Sequence, residues 1–188
     1  MKTQSLKQPM NKQAGFTLVE LIIVIVILGI LAMTAAPRFL NLQRDANAST
    51  LEGLQDSIRS GMNIVNGKSI IASTHKKDAD SVSVDSGANV PIVYGYPAAT
   101  EAAFEAFLDV EFAADDTADF KLVETCNGTN GTTDAGAVPK VTIYPNSYTA
   151  TGDATTDDEC RIEYTQATAT TGPVNVTPPK VELFIEGC

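Results

Sequence analysis

The chain has no tryptophan, one histidine (His75) and three cysteines among 188 residues. It also lacks a glycine-rich phosphate loop, HExxH, CxxC and GxSxG. With its single histidine in a polar run, no base is available for a serine or cysteine nucleophile, so enzymatic catalysis is not expected. Basic patches are missing as well. The net charge is −10, and Lys2, Lys7 and Lys12 are the only charged residues before Phe16, so removing their +3 leaves −13 on the rest. A body of that sign cannot displace counterions from phosphates, which argues against nucleic-acid binding.

What the chain does have is one long apolar run. From Phe16 to Ala36 only Thr17, Glu20 and Thr34 are polar. As a helix this stretch is about 31 Å long, enough to cross a bilayer. Residues 1–15 are basic, polar and aperiodic, the composition of a cytoplasmic flank under the positive-inside rule. A secretory signal peptide fits less well, because the apolar run is long and no A-x-A-like cleavage site follows it.

A carboxylate in a membrane helix is costly and marks a functional candidate. Glu20 lies about 6 Å along the helix from Phe16, where interfacial water and the positive end of the helix dipole favour its charge. Gly29 and Pro37 punctuate the same helix: proline removes a backbone donor and clashes with the carbonyl of Met33, and glycine is a weak helix former.

Beyond Pro37 the pattern turns amphipathic. Phe39, Leu42, Ala46, Leu51, Leu54, Ile58, Met62 and Val65 recur at three- or four-residue spacing, with Arg44, Asp45, Asn47, Glu52, Gln55, Asp56 and Arg59 largely on other faces. This predicts a helix that continues to about Ala72 and rests against a folded body. Gly53 and Gly61 are places for close approach.

Ser73–Gly87 reads as a polar, turn-rich loop with His75 solvated. Val90–Tyr96 reads as a short strand, Pro97–Leu108 as a short helix and Phe120–Val123 as an edge strand. Val138–Tyr144, Arg161–Gln166 and Lys180–Ile185 alternate as strands, while Asn127–Gly136 reads as turns. The expected fold is α+β, a long N-terminal helix packed on a C-terminal antiparallel sheet of about four strands. The expected parts are 1–15, 16–37, 38–72 and a globular head, 73–188. The acidic run Asp153, Asp157, Asp158, Glu159 lacks EF-hand spacing and reads as a solvated loop; no metal site or cofactor is expected.

The string KQAGFTLVELIIVIVILGILA resembles the N-terminus of type IVa prepilins. PRFLNLQ, YGYPAAT and CRIEYTQAT look like segments of mannose-sensitive haemagglutinin pilins, a type IVa subgroup. The resemblance covers about 45 residues strongly and parts of the body weakly. It implies a leader cut after Gly15 by a prepilin peptidase, N-methylation of Phe16, and a pilin fold. Met10 opens a six-residue leader, so translation from Met1 and from Met10 both remain open.

The resemblance also implies a life in two environments. The subunit first sits in the inner membrane, in contact with lipid and with its N-terminus cytoplasmic. The pilus assembly machinery then polymerises it with copies of itself into a surface fibre for adhesion and biofilm formation. In the fibre the residue matching Glu20 pairs with the Phe16 amine of a neighbour, and the stretch from Gly29 to Pro37 loses helical order. A type II secretion pseudopilin or minor pilin shares this N-terminal half and stays as the alternative. A membrane-tethered binding module is a more distant one.

For the cysteines, an antiparallel return brings Cys160 towards Cys188. A simple register nevertheless puts Ile162 and Tyr164 on one face and Val181, Leu183 and Ile185 on the other, calling for a bulge or an intervening strand. The resemblance implies a disulfide-bounded C-terminal loop, Cys160 with Cys188, leaving Cys126 unpaired.

Overall fold

The computed structural model describes residues 16–84, 87–108, 110–113, 117–125, 138–148, 160–170 and 174–188. Its fold is α+β. One helix, α1 (Leu18–Ile71), is followed by strands β1 (Asp80–Ser83), β2 (Asn89–Val93) and β3 (Tyr96–Pro97), a short helix α2 (Glu101–Phe107), and strands β4 (Phe120–Thr125), β5 (Lys140–Pro145), β6 (Arg161–Thr165), β7 (Thr168–Ala169), β8 (Val176–Thr177) and β9 (Lys180–Phe184). Contacts divide the chain into two units, the first ending at Leu42 and the second running from Gln43 to Cys188.

The main sheet is antiparallel, in the order β4-β5-β6-β9. Its register lines up Leu122, Ile143, Ile162 and Leu183 in one row across all four strands, and Val141, Tyr164 and Val181 in the next. Residues directly opposite share a face, so these rows form one apolar surface. Leu51, Leu54 and Ile58 of α1 and Phe104 of α2 complete the core with Val141, Ile143, Ile162 and Tyr164. Tyr164 is wholly buried; its ring meets Phe104 edge-on at 5.0 Å and its hydroxyl donates to the Pro97 carbonyl oxygen at 2.6 Å. Burial pushes the pKa of that phenol up, with a smaller push from Tyr96, so it acts only as a donor.

The helical stripe needs correction at its start. Phe39 and Leu42 are 73% and 64% exposed, and burial begins at Leu51. Gln55, read as lying on another face, is buried beside that stripe. Gly61 does permit close approach: the Phe107 ring occupies the space a Cβ would need, whereas Gly53 meets nothing within 4 Å.

Four features of the head differ from expectation. Ser73–Gly87 is not all loop, since β1 pairs antiparallel with β2 and buries Val82; the alternation Ser81-Val82-Ser83-Val84 carried that signal. Val90–Tyr96 is not one strand but a hairpin. Tyr94 and Gly95 join β2 to β3 with φ of +50° and +84°, the two positive values of a type I′ turn. His75 is half-buried rather than solvated, with its Nδ1 shut off from solvent and unpartnered. The Gly95 turn lies against it so closely that a Cβ there would stand 2.8 Å from the His75 Cα. The small β7–β8 ribbon was not anticipated.

The return from β6 to β9 also has its own solution. β6 and β9 pair directly, Ile162 with Leu183 and Tyr164 with Val181, without bulge or intervening strand. The mismatch is absorbed beyond β9, where a turn closed by the Cys188 N–H on the Ile185 carbonyl at 3.2 Å folds the chain back. Cys188 thereby reaches Cys160 in a disulfide, Cα to Cα 4.6 Å.

Candidate processing and assembly site

Sequence reasoning placed function at the N-terminal end of α1. Gly15, with the leader before it, lies outside the described residues. Phe16 is 91% exposed. Thr17 precedes the first residue of α1, and Glu20 is three positions further on. The two close a capping box. The Thr17 backbone N–H donates to Glu20 Oε2 at 2.8 Å and the Thr17 hydroxyl donates to the same oxygen at 2.7 Å. The Glu20 N–H in turn donates to Thr17 Oγ1 at 3.3 Å. This role for Thr17 escaped the sequence reading, although the spacing T-x-x-E before an apolar run is its signature.

Behind this cap every residue from Phe16 to Ala36 is exposed. The most apolar window of α1 has a mean hydropathy of 2.8 and is wholly unburied, so the helix is long and apolar enough to cross a membrane. Its one internal hydroxyl in this stretch, Thr34, donates to the Leu31 carbonyl oxygen at 2.9 Å, leaving no polar demand on the surroundings. Gly29 has open space around it, and α1 continues as helix through both Gly29 and Pro37.

In the second unit, the lower part of α1 is tied to the sheet by polar contacts at its edge. Arg44 Nη2 donates to the Glu186 carbonyl oxygen at 3.0 Å, on the turn that carries Cys188. Ser147 donates to Asn47 Oδ1 at 3.1 Å. On the sheet face away from the core, Glu163 accepts from Lys140 Nζ at 2.8 Å and from Arg161 Nε at 2.9 Å, and the Arg161 guanidinium sits 4.3 Å from the centroid of the Phe184 ring. Burial pulls the Glu163 pKa up, but the two cationic donors outweigh it and hold the carboxyl below its usual range.

Two open depressions, of about 640 and 240 Å³, share Val110, Glu111, Thr117 and Ala118 in their lining, with Glu105, Leu108 and Phe112 at the larger and Phe120 at the smaller. Among the described residues no three His, Cys, Asp or Glu side chains converge as metal ligands. Cys126 and the acidic run 153–159 fall outside the described residues.

Residues 10–36 match the family model described as the prokaryotic N-terminal methylation motif. The chain is 50% identical over 46 residues to the type IV narrow pilus major component PilA5 of Thermus thermophilus. That match covers 24% of this chain and 40% of the relative, so the chain spans well under half the length of the curated relative it resembles. No solved structure matches significantly. The methylation motif falls on the N-terminal segment, and it and the pilin relative together support a type IV pilin.

Proposed function

We propose that this chain is the major structural subunit of a type IVa pilus, similar to the mannose-sensitive haemagglutinin pilins, with a structural rather than catalytic role. Prepilin peptidase cuts after Gly15 and Phe16 is N-methylated. The subunit waits in the inner membrane on the apolar half of α1, N-terminus in the cytoplasm, and is polymerised into a surface fibre that serves adhesion and biofilm formation. The observation that carries this reading is the methylation motif leading into a helix whose apolar half is unburied among the described residues. Such a surface must be covered by lipid or by other subunits.

In the fibre, Glu20 pairs with the Phe16 amine of a neighbour, and the stretch between Gly29 and Pro37 gives up helical order as subunits pack. A buried carboxylate left unpaired costs several kcal/mol, so the pair also selects the axial register. The pseudopilin or minor-pilin alternative shares all of this except abundance in the fibre.

N-terminal mass spectrometry of sheared surface fibres tests the reading. The expected result is a dominant subunit beginning with methyl-Phe16. Fibres that lack this chain, or contain it only in traces, would move it to the pseudopilin or minor-pilin class. Glu20→Ala is expected to leave leader cleavage intact and to remove most fibres; wild-type piliation in that variant would end the assembly role of Glu20.

A further inference from the structure

The two depressions beside β4 continue into a third, of about 510 Å³, which shares Ala118, Asp119 and Phe120 with the smaller of them and reaches Asn47 and Thr50 on α1. Together they form a groove whose described lining holds the exposed carboxylates Glu105, Glu111 and Asp119 and no lysine, arginine or histidine. Donors are scarce here: Asn146, whose N–H donates to the Asp119 carbonyl oxygen at 2.9 Å, has its own Oδ1 unpartnered. Between the carboxylates lie buried Leu108 and Phe112 and half-buried Val110 and Phe120. Carboxylates alone would suit a hydrated cation. With apolar walls between them they suit a lysine side chain, whose methylene stem packs on the walls while its ammonium reaches the acids.

A lysine is on offer at the other end of the body's helix. Lys76 stands on a turn closed by the Lys77 N–H on the Thr74 carbonyl oxygen at 3.0 Å, and the Tyr94 N–H pins that turn by donating to the Lys77 carbonyl oxygen at 2.8 Å. Lys77, Lys140, Arg161 and Lys180 each have a carboxylate partner, whereas Lys76 is exposed and in no ion pair among the described residues. The turn follows the end of α1 at Ile71, and Thr50, beside Asp119 in the groove, lies about 32 Å back along the helix axis. No side chain crosses that distance, so the Asp119 end of the groove is out of reach of its own Lys76. We propose that the Lys76 turn of one copy docks into the Glu111–Asp119 stretch of this groove on a second copy. The two surfaces differ, so each copy offers its turn to one neighbour and its groove to another, and the series of contacts stays open, as a filament requires. The inference rests on the pilin reading above and adds to it a contact between heads.

An exchange of charges tests the contact in the full-length chain, expressed with its peptidase and assembly machinery. Lys76→Glu sets like charges against the groove, and so does the pair Glu111→Lys with Asp119→Lys. All three side chains are exposed, so the fold has little at stake in them. Sheared fibre is measured per processed subunit in the membrane, so that a variant cut slowly still reports on assembly. Each reversal alone is expected to lower the yield about ten-fold or more, because like charges are brought face to face. The chain carrying all three substitutions, with the signs exchanged, is expected to recover most of the fibre. That recovery would be absent if the single reversals had merely damaged the head. Wild-type assembly by either reversal, or a combined variant no better than the reversals alone, overturns the proposal and leaves the pilin reading standing. If wild type itself yields no methyl-Phe16 fibre, the pilin reading fails and this contact with it.

Discussion

The two halves of α1 obey opposite rules. Up to Leu42 the helix carries apolar side chains on every face, and those described are exposed. From Leu51 onward one stripe is buried, with Leu51, Ile58 and Val65 fully inaccessible and Met62 partly covered. The chemical difference lies in the arrangement of side chains around the axis. An all-round apolar helix has no face to offer water, so its stability comes from outside the molecule. An amphipathic one can be held by its own sheet and leave its charges solvated. The lower half therefore belongs to a self-supporting body, and the upper half needs a second medium.

The largest effect that could break this contrast is truncation. A chain beginning at Gln43 is expected to be soluble and folded without detergent, while the chain from Phe16 requires it; circular dichroism and sedimentation of the two check this. A pair of core substitutions sharpens the comparison next. Phe104→Ala should cost the body about 3–5 kcal/mol in denaturant unfolding, and Leu28→Ala in the exposed half close to nothing. Equal effects would erase the distinction between the halves.

Replacing Cys160 and Cys188 by serine should cost roughly 3–4 kcal/mol, since the bridge closes a loop of 28 residues. Tyr164→Phe strands the buried Pro97 carbonyl and should cost about 1–2 kcal/mol. The smallest effect is acid lability. The Glu163 pKa is lower in the folded than in the unfolded state, so its contribution is complete above the unfolded value, about 4.3, and fades as pH falls through the folded one. Glu163→Gln should lower stability at pH 7 by about 1 kcal/mol and flatten its decline into acid.

Much of this was legible in the sequence because it is periodic. The apolar run, the stripe from Leu51 to Val65 and the alternation of the four main strands all repeat at the spacing of their element. What escaped depends on single residues read against distant neighbours. Phe39 and Leu42 fit the stripe by spacing, but spacing does not say where the covering sheet stops. His75 looked solvated in a polar run, yet the Tyr94-Gly95 turn folds over it from twenty residues away. In the Cys160–Cys188 return, parity was counted between the cysteines, while the correction lay in a turn beyond β9. The Thr17 cap is written in the sequence as T-x-x-E ahead of an apolar run, a local signal that the cost of the Glu20 charge does not convey.

The bridge from Cys160 to Cys188 has a mechanical side. A pull applied to the backbone at the two cysteines passes between them across 4.6 Å, and the segment they enclose, a sequence separation of 28, is shielded from it. About 95 Å of contour is thus withheld from extension. Under load the closed loop can lose its shape without the molecule gaining that length, and only reduction of the disulfide would release it.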